Sequence, residues 1–308
     1  MNKGALESSQ GLIGEKKQVH VGIAISEIPA ELREKRDRLL DLLRSFGSCA
    51  VAFSGGLDSA VLAKAAHAAL GDRAVAVTGV SASLAAGELE DCRRLAAQIG
   101  IRHVLLETDE LRNPLYQRNL ADRCYFCKTE LFTKMGDWAG KLGVSVVVDG
   151  SNRDDRGDHR PGMTAARERG VRSPLAECDL SKDEIRLLAK HWGLPIWDKP
   201  ASPCLSSRIA YGEAVTPERL AMVERAERFL REQGFRLLRV RYHKGDLARI
   251  EVPVEELSRL LEPALRESLV EELTAAGFKF VTLDLMGFRS GSLNQLVPAE
   301  SLQILDKR

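Results

Sequence analysis

The segment 54–59 (SGGLDS) carries two serines, two adjacent glycines and an aspartate between a short apolar run and an alanine-rich stretch. Adjacent glycines let the backbone pass close to a ligand, and the start of a following helix offers free N–H groups. The hydroxyls of Ser54 and Ser59 add donors, so the segment predicts a cradle for phosphate. It fits neither a Walker A loop nor a dinucleotide-binding loop. The alternative is a plain strand-to-helix turn with Asp58 as the helix cap.

Cys124 and Cys127 form a C-x-x-C pair, whose spacing lets both sulfur atoms face one ion. Such a pair serves in half a zinc site, in a redox disulfide or in an iron–sulfur site. The zinc interpretation lacks two further ligands, because the chain has no second C-x-x-C and no H-x-x-x-H. The redox interpretation expects a thioredoxin-like strand-to-helix junction. Here the pair is predicted to lie in a long connection before a helix over 131–142.

Cys204 lies in the segment 200–208 (PASPCLSSR), which two prolines and several small residues are predicted to make rigid and exposed. Such a turn suits a functional thiolate. Together with Cys124 and Cys127, Cys204 gives three thiols. Three thiols can hold three irons of a four-iron cluster and leave the fourth iron open for an extra sulfide.

The composition is that of an ordinary globular chain of 308 residues, 44% hydrophobic and 29% charged. A net charge of +1 argues against nucleic-acid binding by bulk charge, although a local basic patch stays open. No apolar run approaches the ~18 residues of a membrane span, and no signal-peptide run begins the chain. These features predict a cytoplasmic protein, where structural disulfides are rare. Cys49 and Cys92 are then predicted to be core residues, and Cys178 is undecided.

Apolar runs alternate with helical patterns in the first 200 residues. Strands are predicted over 48–53, 74–80, 102–107 and 144–148, and helices near 29–43 and over 58–70, 87–99 and 131–142, with a further helix capped by Ser181. Strands that are apolar throughout and alternate with helices predict an α/β fold, a parallel sheet with helices on both faces. Residues 1–28 show no sustained period and are predicted to be a flexible leader.

After Pro200 the pattern predicts a smaller α+β region. It comprises a helix over 216–233, strands over 237–242 and 248–252, a helix over 254–275 and a strand over 278–285.

Period-2 alternation in this region puts Arg239, Arg241 and His243 on one face of a strand. Two guanidiniums suit a phosphate monoester, and Ser207 and Arg208 can complete such a site. The alternative is a solvated sheet face paired to Asp or Glu.

The run VAFSGGLDS resembles the PP-loop of the ATP pyrophosphatase superfamily, and VDGSN and RPG fit its later sheet edge. The resemblance implies the PP-loop ATPase fold, which is similar to the adenine nucleotide alpha hydrolases. The resemblance implies that ATP is bound by the residues that match these motifs, which are Ser54, Gly55, Gly56, Asp58, Ser59 and Gly150. It also implies adenylation of a substrate with release of pyrophosphate, and Asp58 would help place Mg²⁺.

From about Leu39 onward the chain resembles the LarE family of ATP-dependent sulfurtransferases, through RPGMTAARERGVRSPLAE, SPCLSSRIAYGEAVTPERL, RVRYH and FVTLDLMGFRSGSLN. The resemblance implies thiocarboxylate formation on pyridinium-3,5-biscarboxylic acid mononucleotide, for the nickel-pincer nucleotide cofactor of lactate racemase. ATP would adenylate a substrate carboxylate, and sulfur would displace AMP. The implied domains are a PP-loop ATP pyrophosphatase domain over 29–199 and a substrate-binding and oligomerisation domain over 200–308.

The family has two branches, one with a sacrificed cysteine and one with a three-cysteine 4Fe-4S cluster. The chain resembles the cluster branch, because it has all three cysteines, Cys124, Cys127 and Cys204. Pro203 stands just before Cys204, where the sacrificed cysteine is expected. Sacrificial use of Cys204 stays the alternative.

The resemblance also implies which residues bind the substrate phosphate and a metal, and which partners the protein has. The substrate phosphate would be bound by Ser207, Arg208, Arg239 and Arg241. Glu227 would bind metal, with an exposed helical glutamate as the alternative. The implied partners are the mononucleotide, nickel-insertion and upstream carboxylase proteins, and further copies in a homo-oligomer.

Two other functions are compatible with parts of this pattern. A PP-loop enzyme that thiolates tRNA can carry a three-cysteine cluster, but it would need a broad basic surface. An ATP-binding or iron-storage scaffold would leave Ser207, Arg239 and Arg241 without a role.

Overall fold

The computed structural model describes residues 28–156, 161–198 and 203–296. The predicted leader, apart from Ile28, lies outside the described residues. In the described ranges, no helix has the length and apolar character needed to cross a membrane.

A four-stranded parallel sheet forms the first half of the molecule. Its strands are β1 Cys49–Ala52, β2 Ala74–Val80, β3 Arg102–Glu107 and β4 Val146–Val148. They are arranged in the order β3-β2-β1-β4, and all neighbours are parallel. Every residue of the central strand β1 is buried, as the continuous apolar run predicts.

Helices cover both faces of this sheet, which confirms the predicted α/β class. The helices of this half are α1 Ala30–Ser45, α2 Leu57–Leu70, α3 Ala86–Ile99, α4 Pro114–Gln117, α5 Arg123–Leu142, α6 Pro161–Glu168, α7 Pro174–Glu177 and α8 Lys182–His191. Cys49 and Val51 of β1 pack with residues of α1, α2, α3 and α8 in one hydrophobic cluster. Ala50 and Ala52 point the other way and pack with residues of α5 and α6. Alternate residues of β1 therefore serve opposite layers.

The C-terminal part has its own sheet and core, which confirms the predicted α+β character. Its strands are β5 Arg239–His243, β6 Leu247–Glu251 and β7 Phe280–Leu283, and its helices are α9 Pro217–Glu232, α10 Leu257–Leu260 and α11 Pro263–Ala276. β5 is antiparallel to β6, and β6 is parallel to β7. Tyr116 of α4 is part of this second core, so the first half reaches into it.

Two predicted helices differ from the structure. The helix predicted over 131–142 begins eight residues earlier, at Arg123, because no glycine or proline interrupts 123–135. The C-x-x-C pair therefore lies in the first turn of α5 and not in a connection before it. The helix predicted over 254–275 is broken at Glu262, because Pro263 starts a new helix in the N1 position.

Candidate functional site

The glycine loop folds back on itself where β1 ends. Ser59 Oγ donates to the Gly56 carbonyl at 3.0 Å and accepts from the Ser54 backbone N–H at 3.3 Å. Gly56 is the N-cap residue of α2, and Ser54 is exposed. The loop thus presents the free N–H groups at the start of α2 and the Ser54 hydroxyl to the outside, which suits a bound phosphate chain.

Gly55 is required at the tightest point of this loop. Its φ is +68°, and a Cβ built on it would lie 2.8 Å from Cys92 Sγ. Gly47 has a similar φ of +72° with no atom within 4 Å of such a Cβ. An alanine at either position would have a strained backbone, but only at Gly55 would its Cβ also be crowded by a neighbouring atom.

We expect Gly55→Ala to destabilise the fold more than Gly47→Ala. Left-handed backbone costs an alanine about 1–2 kcal/mol at either position, and crowding against Cys92 adds about 1–3 kcal/mol at Gly55 alone. Denaturant unfolding measures the difference, and ATP binding should weaken only in Gly55→Ala. Equal losses of stability would contradict the close contact with Cys92.

Asp58 and Gly150 meet on the other side of the loop. Lys182 donates from Nζ to one carboxylate oxygen of Asp58, and Asn152 donates to the other at 3.3 Å. A Cβ on Gly150 would lie 3.0 Å from the Ser59 backbone nitrogen, so only glycine lets β4 end this close to α2. Sequence reasoning missed Lys182, because the run from Ser181 was interpreted only as a capping box.

That capping box is confirmed, and it explains where Lys182 points. Ser181 accepts from the Glu184 N–H at 3.2 Å, and Glu184 accepts from the Ser181 N–H at 2.8 Å. Lys182 is thereby fixed as the first residue of α8, beside Asp58.

Cys204 is exposed and precedes a short 3-10 helix, Leu205–Arg208. The Leu205 N–H donates to the Ser83 carbonyl at 2.9 Å, which ties the segment to the loop after β2. The Cys204 carbonyl accepts from Ser207 Oγ at 2.7 Å and from Arg208 at 3.0 Å. These contacts hold the backbone of Cys204 and leave its side chain accessible.

Arg208 and Glu227 form a buried ion pair beneath this segment. Arg208 Nε and Nη2 donate to the two oxygens of Glu227 at 2.9 and 3.3 Å, and Arg231 donates to Glu227 at 2.7 Å. Burial alone would raise the pKa of Glu227, but Arg208, Arg231 and Arg239 hold that pKa below its usual value. The predicted metal role of Glu227 stays a prediction, since its oxygens here accept from guanidiniums.

Arg239 and Arg241 are both buried on β5. Arg241 donates to Glu251 Oε2 from Nε at 3.1 Å and from Nη2 at 3.0 Å, and to the Ser207 carbonyl from Nη1. Arg239 lies over the Phe288 ring, 5.3 Å from its centre. Burial and the neighbouring Arg208 lower the pKa of Arg239 to about 10, so it stays charged at neutral pH. The structure thus brings the predicted phosphate residues together.

Cys127 interacts electrostatically with both Cys124 and Cys204. Burial and nearby acidic groups, including Glu110, Cys204 and Cys124, raise the pKa of Cys127 to about 12. Cys124 and Cys204 are exposed. Within the described residues, no three His, Cys, Asp or Glu side chains are grouped closely enough to hold a metal ion. Three thiols are the right donors for an iron–sulfur cluster, but their sulfur atoms would have to converge and Cys127 would have to lose its proton.

The remaining cysteines are buried. Cys49 and Cys178 both belong to the first hydrophobic cluster, and burial raises the pKa of Cys49 to about 12. Cys92 packs in the same cluster beneath the glycine loop.

One narrow pocket connects the glycine loop with the cysteine segment. It is lined by Ser54, Leu84, Ala85, Glu88, Pro203, Cys204, Leu205, Arg208 and Arg231. A group held at Ser54 therefore shares one cavity with Cys204 and with the buried Arg208.

Comparison with known proteins gives full-length relatives. The chain is 47% identical over 266 residues to an uncharacterised protein of Synechocystis sp., covering 86% of this chain and 99% of the relative. It is 36% identical over 274 residues to the pyridinium-3,5-bisthiocarboxylic acid mononucleotide synthase of Lactiplantibacillus plantarum, covering 89% and 98%. One of the subunits of the glutamine-hydrolysing GMP synthase of Archaeoglobus fulgidus is 25% identical over 66% of this chain and 68% of the relative. No protein-family model matches the chain. Because this 36% identity to the Lactiplantibacillus synthase extends over nearly the full length of both proteins, the chain belongs to the LarE family.

Proposed function

We propose that this protein uses ATP to convert a carboxylate of pyridinium-3,5-biscarboxylic acid mononucleotide into a thiocarboxylate. The relative from Lactiplantibacillus plantarum is named for the bisthiocarboxylic product. The observation that carries the proposal is the pocket shared by Ser54, Cys204 and Arg208. It supports a reaction in which a phosphate group, a sulfur atom and an anionic substrate meet.

The first step activates the carboxylate. The glycine loop at the start of α2 binds the β- and γ-phosphates of ATP, while Asp58 and Lys182 balance the charge of Mg²⁺ and phosphate. A carboxylate oxygen attacks the α-phosphorus, the bond to the β-phosphate oxygen breaks, and pyrophosphate leaves. The product is an acyl adenylate, whose AMP group leaves far more readily than the oxygen of a free carboxylate.

The second step brings sulfur to the acyl carbon. A sulfur nucleophile forms the C–S bond, the C–O bond to AMP breaks, and AMP takes the electron pair. Cys204 lines the pocket and is exposed, which supports it as the residue that presents sulfur. We include in the proposal a 4Fe-4S cluster bound by Cys124, Cys127 and Cys204. When bound, it would supply a sulfide that has no proton to lose.

Buried guanidiniums support recognition of the substrate phosphate. Arg208 pairs with Glu227 and Arg241 with Glu251, and Arg239 is buried on the same strand as Arg241. Guanidiniums are the charge-assisted donors that suit a phosphate monoester.

We expect Arg239→Gln to raise the KM for the mononucleotide by about 10- to 100-fold, because a charge-assisted hydrogen bond contributes about 1.5–3 kcal/mol. Steady-state kinetics measure the change. For the dephosphorylated nucleoside, the KM values of wild type and Arg239→Gln should be nearly the same. Arg225→Gln is the matched control, since Arg225 of α9 forms a partly exposed ion pair with Glu272 of α11. An equal rise of KM for nucleoside and nucleotide would contradict phosphate binding by Arg239.

The function itself is tested with reduced protein under anaerobic conditions. We would add Mg-ATP and the dicarboxylate mononucleotide and determine the mass of the product. An exchange of oxygen for sulfur with AMP formation supports the proposal. Neither AMP nor a mass shift, from protein shown to contain iron and sulfide, contradicts it. Repeated turnover with added sulfide supports the cluster, whereas one turnover that leaves the protein lighter by hydrogen sulfide supports a sacrificed Cys204.

The proposal extends to the setting of the reaction. We propose a cytoplasmic homo-oligomer that acts between an upstream carboxylase, which supplies the dicarboxylate, and a nickel-insertion protein, which takes the bisthiocarboxylate.

A further inference from the structure

The segment 284–292 (DLMGFRSGS) follows β7 and runs back toward the end of β6. The Asp284 N–H donates to the Ile250 carbonyl at 2.9 Å, and the Phe288 N–H donates to the Val252 carbonyl at 2.8 Å. β6 lies between β7 and β5 in the sheet. These backbone bonds therefore hold the segment where its side chains can reach the surroundings of β5.

The buried Ser292 reaches the carboxylate that pairs with Arg241. Ser292 Oγ donates to Glu251 Oε1 at 2.6 Å, and Arg249 donates to the same oxygen at 3.0 Å. The other oxygen of Glu251 accepts from Nε and Nη2 of Arg241 at 3.1 and 3.0 Å. The Ser292 hydroxyl thus helps to fix the direction in which the fully buried Glu251 carboxylate faces Arg241.

The orientation of Arg241 matters because it leaves donors for a ligand. Nη2 of Arg241 donates to Glu251, and Nη1 donates to the Ser207 carbonyl at 3.0 Å. Each of these nitrogens carries a second N–H, which can donate to an oxygen of a phosphate. A guanidinium that is already held in one orientation loses less freedom on binding than one that rotates.

Phe288 of the same segment contacts the other arginine of β5. Its ring centre lies 5.3 Å from the guanidinium carbon of Arg239, which is within the range of a cation–π contact. Arg239 and Arg241 are alternate residues of β5 and therefore share one face of the strand. One short segment thus contacts Arg239 directly and Arg241 through its carboxylate partner.

We propose that the segment 284–292 is a clamp that positions Arg239 and Arg241 for the substrate phosphate, through Phe288 and Ser292. The inference rests on the proposed function, in which these arginines bind that phosphate. Phe288 and Ser292 act through the arginines and are positioning residues. They set the affinity for the phosphorylated substrate and take no part in the chemistry at the carboxylate.

The role of Phe288 is tested by calorimetric titration of the pyridinium dicarboxylate mononucleotide into the full-length protein without ATP. Phe288→Leu removes the aromatic ring, and Phe288→Tyr keeps it. We expect the Kd to rise by about 3- to 10-fold in Phe288→Leu and to stay within about twofold of wild type in Phe288→Tyr. Phe280→Leu is the matched control, since the Phe280 side chain on β7 is exposed.

Ser292→Ala tests the other contact of the clamp in the same titration. We expect the Kd for the mononucleotide to rise by about 3- to 10-fold, because the Glu251 carboxylate loses a hydrogen bond that orients it. Ser268→Ala is the control, since the exposed Ser268 hydroxyl on α11 bonds only to the backbone of its own helix. ATP should bind all of these proteins with wild-type affinity, because the glycine loop lies in the first half of the molecule.

Wild-type affinity for the mononucleotide in both Phe288→Leu and Ser292→Ala would overturn the clamp, and so would equal weakening in Phe288→Leu and Phe288→Tyr. A parallel loss of ATP affinity would also overturn it, because the change would then be a general loss of structure. Should one variant fail to fold by circular dichroism, the other decides. Wild-type protein that does not bind the mononucleotide would instead contradict the proposed function, so the two failures are distinguishable.

Discussion

Replacing Cys204 with serine is expected to abolish thiocarboxylate formation while AMP is still produced from ATP. Serine has nearly the same shape, but its hydroxyl is a far weaker nucleophile and a poor ligand for iron. The glycine loop and Asp58, which would perform the adenylation, lie on β1 and α2 and are untouched by the change. We expect sulfur transfer to fall by about 10³-fold or more, and AMP release to stay within about tenfold. Mass analysis of the product and an AMP assay on the same reaction measure both.

Cys178→Ala is the control for this experiment, since it removes a buried thiol from the hydrophobic core that also contains residues of α8. It should keep both activities. Thiocarboxylate formation that persists in Cys204→Ser would remove Cys204 from the path of sulfur. Loss of AMP together with sulfur transfer would instead connect Cys204 with the adenylation step.

The parts of the fold that local sequence determines were predictable. Residues 74–80 and 102–107 are strands with the predicted bounds, because short apolar runs between turn signals leave few alternatives. The glycine loop was found as six consecutive residues in a strand-to-helix context. The capping box at Ser181 is likewise predictable, because its two residues are only three positions apart in the sequence.

The parts that depend on distant contacts were not predictable. Arg123 begins α5 with a bond to Ser206, 83 positions away, and no periodic pattern in its own segment signals this. Lys182 reaches Asp58 across 124 positions. Alternation along β5 predicts its arginines on one face, but it does not reveal that Arg241 is buried against Glu251 of β6.

Glu227→Gln is expected to destabilise the protein by about 3–5 kcal/mol, because it leaves Arg208 buried without its carboxylate. The Glu227 side chain is fully buried, and it also accepts from the Val240 N–H at 3.2 Å. Its replacement therefore loosens the contact between α9, β5 and the Cys204 segment. Denaturant unfolding at pH 7 measures the loss. Glu272→Gln on α11 breaks a partly exposed pair with Arg225 and should cost much less stability than Glu227→Gln, because solvent screens exposed ion pairs.

The effect of Glu227 should depend on pH in a defined direction. Its pKa is lowered in the folded protein, so its ionised form is favoured by folding. The contribution is complete above the pKa of about 4.3 of an unfolded glutamate and is lost as pH falls through the lower folded value. The difference in unfolding free energy between wild type and Glu227→Gln should therefore be constant from pH 6 to 8, within about 0.5 kcal/mol, and shrink in acid. A difference that grows as the pH falls would mean that Glu227 is protonated in the folded protein, and the ion pair with Arg208 would have to be abandoned.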